Sequence, residues 1–217
     1  MEYPEELALS IPPFLKQRLE DDCFWVLRRS KLVSLPAETS VTSLLRGYYQ
    51  YSLINPPQDT NHSVGLLAEV LDGLKVYFDF TLSDHLLYSQ EKAQFKHLCE
   101  EEGFGRATVV NKIPLAHINN KAVSNHTPTH STPHTPHKHP SDVYGAEHFL
   151  RLFVRLPMFL SQAQLSTAHT HTIHTHIKDL LEYMVSQDGL FSDSHYHDNG
   201  TPHTNGLVDS DPMSTEQ

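Results

Sequence analysis

The 217-residue chain carries 16 Lys and Arg against 26 Asp and Glu, a net charge of −10. That balance argues against an extensive phosphate-binding surface, which needs clustered cations. Its 38% hydrophobic content leaves room for one ordinary domain with polar segments beside it, and no apolar run reaches membrane-spanning length.

The predicted elements follow in chain order. Pro12 and Pro13 suit the opening of a helix, on which Leu15, Leu19, Cys23, Val26 and Leu27 form a core stripe. Phe14 and Trp25 fall within about 20° of each other on a different side, beside Arg18 and Arg29. Two readings of that side stand: Trp25 under the Arg29 guanidinium on an exposed face, or an aromatic anchor for a partner. Arg28, Arg29 and Lys31, preceded by Glu20, Asp21 and Asp22, read as a solvated helix face. Val33, Leu35 and Pro36 suggest a short extended segment that the proline ends. Ser40 can cap a second helix with Val41, Leu44, Leu45 and Tyr48 inward. Residues 55–63 read as a loop. Val64, Leu67, Leu71, Leu74 and Phe78 recur at three- and four-residue steps, the seam of a third helix. Leu82, Leu86, Leu87 and Tyr88 lead into a further helical stretch ending near Glu102.

From Asn125 to Pro140 the chain is almost only Thr, Ser, His and Pro, a composition that cannot build a core. Residues 105–141 are expected to be a disordered insertion inside one domain spanning 1–198, because the helices on either side are too apolar to stand alone. Tyr144 to Pro157 then carries Phe149, Leu150, Leu152, Phe153, Val154 and Leu156 over an arc of roughly 200°. Such a helix is either central to a bundle or keeps a second face for a partner. Glu147, Arg151 and Arg155 follow at four-residue steps and suit a solvated ion-pair stripe. Ile173, Ile177, Leu180, Leu181 and Met184 predict a last helix, preceded by a Thr/His repeat from His169 to His176. Residues 199–217 are expected to be a loose tail.

Chemistry finds little support. The 17 histidines recur at alternate positions, as in His169/His171, His174/His176 and His195/His197, whereas a helical zinc site wants ligands four apart. Cys23 and Cys99, the only cysteines, lack metal-type spacing and fit a reducing compartment. Ser83, Asp84 and His85 are sequence neighbours and cannot form a triad, and no GxSxG elbow occurs. Asp21-Asp22 and Glu100-Glu101-Glu102 read as surface charges. The N-terminus lacks a signal-peptide core, so the sequons at Asn61 and Asn125 are expected to be silent. No catalytic residue, metal site or cofactor is expected.

Five motifs carry a resemblance: IPPFLKQRLEDDC (11–23), LVSLPAETSV (32–41), LDGLKVYFDFTLSDHLLY (71–88), EKAQFK (91–96) and YGAEHFLRLFVRLP (144–157). In that order they resemble the MRG domain, most closely the branch found in male-specific lethal (MSL) complexes. The resemblance implies an all-α fold with a small β-hairpin, and a non-enzymatic nuclear adaptor that docks hydrophobic peptides from subunits of histone-acetylating complexes. In that branch the partner is the scaffold subunit of the MSL complex, which also carries the acetyltransferase and serves histone H4 acetylation and dosage compensation. Family members usually add an N-terminal chromodomain, whose histone-reading role is not carried over to a chain that starts at the MRG-like segment. Related MRG-fifteen-type proteins have Trp in their docking surface where this chain has Cys23. The candidate partner-binding residues are Ile11, Phe14, Leu19, Cys23 and Trp25, with Tyr144, Phe149, Leu152, Phe153 and Leu156. Rival readings are a His-rich metal-binding protein and a truncated paralogue with reduced function.

Overall fold

The computed structural model describes residues 8–56, 64–102, 138–163 and 165–199. Helix α1 (Pro13–Arg29) opens on Pro12 and Pro13, where a missing amide costs nothing, and closes on Ser30 in the left-handed conformation, φ 53°. Strand β1 (Lys31–Val33) follows. Helix α2 (Val41–Ile54) is capped as the sequence predicts, the Ser40 side chain accepting from the Ser43 amide at 3.2 Å. Helix α3 (Val64–Thr81) runs into a π-helical turn, Leu82–Leu86, and a 3-10 turn, Ser89–Glu91, before α4 (Lys92–Glu102). A four-residue helix α5 (Pro140–Val143), the long α6 (Ala146–Gln162) and α7 (Thr167–Ser186) complete the helices. Strand β2 (Tyr196–Asp198) returns antiparallel to β1, pairing Leu32 with His197 and Val33 with Tyr196. The small sheet is therefore as expected in kind, though its strands come from opposite ends of the domain rather than from one tight turn.

Helix α6 is the axis of the core. Phe149, Leu150, Leu152, Phe153 and Leu156 are all at most 1% exposed, and only Val154 of the predicted apolar arc faces solvent. Phe149 meets Phe78 of α3 edge-on at 5.8 Å and Phe153 at 5.0 Å. Leu67, Leu71, Leu74 and Phe78 form the buried seam of α3, and Val41, Leu44, Leu45 and Tyr48 that of α2. Gly145 sits where a side chain would strike Ala37: a Cβ there would lie 2.7 Å from the Ala37 Cβ. That close approach lets Ala37 and Val41 donate to the Val143 and Tyr144 carbonyls, each at 2.8 Å.

Several expectations need correction. The predicted stripe of α1 is rotated: Leu15 and Val26 are buried, but so is Asp22, while Leu19 and Cys23 are half-buried and Leu27 is 39% exposed. The Glu147–Arg151–Arg155 stripe is not solvated, since Glu147 and Arg151 are buried and Arg155 alone of the three is exposed. Pro140 and Ser141, placed at the end of the expected insertion, belong to α5, where Ser141 donates to Asp79 from its amide at 2.7 Å and its hydroxyl at 3.0 Å. The rest of that stretch, 105–137, lies outside the described residues, as do most of the predicted loop, both sequons and the tail from residue 200. The Thr/His repeat is helical, not a lead-in to the helix. Ser166 caps it at 3.3 Å, and Thr172 and Thr175 bond back to the Ala168 and His171 carbonyls. Thr170 and His176 turn inward in line with Ile177 and Leu180, so packing overrides the repeat's poor helix propensity.

Candidate docking groove

The side of α1 that the core leaves uncovered is an open groove of roughly 560 Å³ lined by Leu19, Glu20, Cys23, Phe24, Leu27 and Arg28. Its floor is apolar. Phe24 is 44% and Leu27 39% exposed, and Leu19 and Cys23 beside them are half-buried, so an apolar helical stripe stays partly open to solvent. Arg29 lies over the Phe24 ring, 5.3 Å from its centroid.

What holds this stripe outward is a buried ionic cluster on the opposite side of the helix. Arg151, from the middle of α6, donates from Nε and Nη2 to the two carboxylate oxygens of Asp22 at 2.7 and 2.8 Å. It also donates from Nη1 and Nη2 to Glu91 at 2.6 and 2.9 Å, and from Nη1 to the Leu86 carbonyl at 3.0 Å. The fork geometry of a guanidinium suits two carboxylates at once. His148 donates from Nε2 to Glu91 at 2.9 Å, and the Tyr88 amide donates to Glu91 at 2.7 Å. Tyr196 of β2 donates its hydroxyl to Asp22 at 2.9 Å. Burial alone would push the Glu91 carboxyl up, but the charges of His148 and Arg151 outweigh it and hold the group well below the usual carboxylate range. Burial, then the Asp22 charge, pushes the Tyr196 phenol well above its ordinary value. Asp22 is thereby drawn inward, and its neighbours Cys23 and Phe24 are turned toward solvent.

The opposite flank of α1 is covered by a strap, residues 187–198, that follows α7 and ends in β2. Phe14 meets Phe191 at 6.4 Å, Trp25 meets Tyr196 at 6.4 Å and Phe24 at 5.5 Å, and Lys31 rather than Arg29 sits over the Trp25 ring at 5.0 Å. Arg18 reaches Asp193 at 3.7 Å. Trp25 is therefore half-buried inside the domain, while Phe14 stays 44% exposed at the strap's margin. Ile11 packs half-buried against the core. Of the sequence candidates, the groove gathers Leu19 and Cys23. Tyr144, Phe149, Leu152, Phe153 and Leu156 are core side chains with at most 1% exposure and present no free face. Phe24, Leu27 and Arg28 also line the groove and are not among the partner-binding candidates from sequence, where Leu27 reads as core and Arg28 as part of a solvated face; a docking stripe and a core seam share the same helical spacing. Among the described residues no group of three or more His, Cys, Asp or Glu is placed to hold a metal ion.

The strap makes a pH-dependent contact. His195 Nδ1 lies 2.6 Å from the Glu147 carboxylate. That hydrogen bond raises the His195 pKa against the opposing effect of burial, and the charges of Glu147 and Glu38 add to it. A raised histidine contributes its stability fully below the ordinary value of about 6.5 and loses it as pH climbs through the higher folded value. Trp25 is the only tryptophan and touches Tyr196, so its emission reports the strap. The emission should shift as pH rises above about 6.5, and His195→Gln should abolish that titration. An identical titration in His195→Gln would place its source elsewhere.

The architecture is that of a mainly helical module with a two-stranded sheet and, among the described residues, a partly exposed apolar stripe on its first helix. The sequence matches the MRG family over residues 1–198, and the chain belongs to that family. It is 32% identical to the chromatin modification-related protein EAF3 of Mycosarcoma maydis, an alignment covering 84% of this chain and 52% of that protein. It is 30% identical to the NuA4 complex subunit EAF3 homolog of Drosophila melanogaster over 86% of this chain and 36% of that protein. Human MSL complex subunit 3 is 32% identical over 45% of this chain and 23% of its own length. The chain spans about half the length, or less, of these curated relatives.

Proposed function

We propose that this MRG-family chain is a non-enzymatic chromatin adaptor whose α1 groove docks an apolar peptide segment from a scaffold subunit of a histone acetyltransferase complex. The compartment is the nucleus, in keeping with relatives named for chromatin modification and for the NuA4 and MSL complexes. The observation that carries the reading is the apolar stripe of half-buried Leu19 and Cys23 and exposed Phe24 and Leu27, turned outward because Asp22 is locked to Arg151 on the other side. An apolar surface fixed in place by a buried charge cluster is pre-organised, and a ligand entering it has little ordering to overcome. The finer assignment is an MSL-type scaffold, as the 144–157 and 11–23 motifs imply; a NuA4-type scaffold is the second reading, favoured by the two EAF3 relatives.

Calorimetry with the C-terminal segment of each scaffold tests both. One of the two segments should bind. Leu27→Asp should weaken that binding about 30-fold, roughly 2 kcal/mol, while leaving the melting temperature nearly unchanged, since Leu27 already faces solvent. Binding that ignores Leu27→Asp would remove the groove from the account, and silence from both segments would remove the scaffold.

A further inference from the structure

We infer that the groove reads charge as well as apolar surface: it takes a short apolar segment with an acidic residue on one side and a basic residue on the other, the acid meeting Arg28 and the base meeting Glu20. The inference rests on the docking reading above and adds an orientation to it. Glu20 and Arg28 both line the groove, at opposite ends of the Leu19–Leu27 floor. Eight residues of helix separate them, a rise of about 12 Å, which about four residues of extended chain would span.

Both side chains are exposed, and neither holds an ion pair or hydrogen bond among the described residues. Several charges beside them are engaged elsewhere. Arg18 lies 3.6 Å from Asp21 and 3.7 Å from Asp193, Gln17 donates to Asp21 at 2.9 Å, and Asp22 is buried with Arg151. Arg29 covers Phe24 and Lys31 covers Trp25, so both cations stay at the Arg28 end of the helix and reinforce its sign. The groove is thus basic at the helix C-terminus and acidic at Glu20. A phosphate backbone laid along it would meet Arg28 at one end and the Glu20 carboxylate at the other, on a chain of net charge −10. A peptide of mixed sign complements both ends.

Panning a random peptide display library on the whole chain, and on its Arg28→Glu, Glu20→Lys and Leu27→Asp variants, tests the inference. All three substitutions are at solvent-facing positions and should leave the melting temperature near that of the parent. Peptides selected on the parent should carry one or two large apolar residues, with Asp or Glu to one side and Lys or Arg to the other. Arg28→Glu should turn the acidic preference into a basic one, and Glu20→Lys should turn the basic preference into an acidic one. For a single selected peptide, Arg28→Glu should weaken binding about tenfold, one exposed pair lost and a like-charge pair set in its place. Apolar peptides without charge bias, lost on Leu27→Asp but kept on Arg28→Glu, would overturn the charge reading and leave the docking reading standing. Selection that Leu27→Asp does not alter would overturn both. Binding of a DNA duplex that Arg28→Glu abolishes, with no acidic bias among the peptides, would overturn the inference and assign the basic end to phosphate.

Discussion

Arg151→Ala should destabilise the domain by about 3–5 kcal/mol, as judged by urea denaturation at neutral pH. Against a total stability of about 5–15 kcal/mol for a domain of ordinary size, that is a large share. The reason lies in what remains behind. Asp22 and Glu91 keep their burial but lose the cation that neutralised them, and five hydrogen bonds disappear together. Arg151→Lys should rescue only part of the loss, because an ammonium supplies the charge but not a planar fork facing two carboxylates. The pH dependence distinguishes this cause from loss of packing. Glu91 is held below its ordinary range, so its contribution to the wild type is present above about pH 4.3 and lost as pH falls further. In Arg151→Ala, burial acts on Glu91 with less opposition, so protonation relieves it and the gap between variant and wild type narrows toward pH 4. A gap that stays constant with pH would show that Arg151 acts by filling space.

Phe149→Ala should cost about 3–5 kcal/mol, the range for emptying a phenyl-sized site in a close-packed core. Phe149 has no exposed surface and contacts both Phe78 and Phe153, so a cavity there opens between α3 and α6. Under conditions where the variant remains folded, its affinity for a groove ligand should match the wild type, since the groove lies on α1. An unchanged denaturation midpoint with lost binding would return Phe149 to the docking surface.

The contrast between these two residues shows where a sequence is legible. The seams of α2 and α3 and the Ser40 cap follow from local spacing, because each is decided within two turns of helix. The apolar arc of α6 was also legible, and its two readings divided on a fact no helical wheel contains: whether other helices surround it. They do, and the arc is core. Arg151 lies on the remaining arc, between Glu147 and Arg155, where the four-residue spacing reads as a solvated stripe. Its partners, however, lie 129 and 60 residues away in sequence, beyond the reach of any periodicity. The same distance hid the strap, whose Tyr196 meets Asp22 across 174 residues, and so left Trp25 looking like a free anchor. On α1 a core seam and a docking stripe share one spacing: periodicity puts Leu19, Cys23 and Leu27 on the core stripe, while the resemblance makes Leu19 and Cys23 docking candidates. Burial of Asp22 turns that stripe, so that Leu15 and Val26 are its buried members.

Docking on the outer face of α1 is the claim on which the function turns, and the two cysteines offer a direct test of it. Cys23 lines the groove, whereas Cys99 stands on α4, and both are free and half-buried. Alkylation by N-ethylmaleimide, followed by mass spectrometry, reads the two thiols separately. When the chain is saturated with a bound scaffold segment, alkylation of Cys23 should slow sharply while Cys99 reacts as before. Equal reactivity of Cys23 in the free chain and in the saturated complex would contradict docking in the groove.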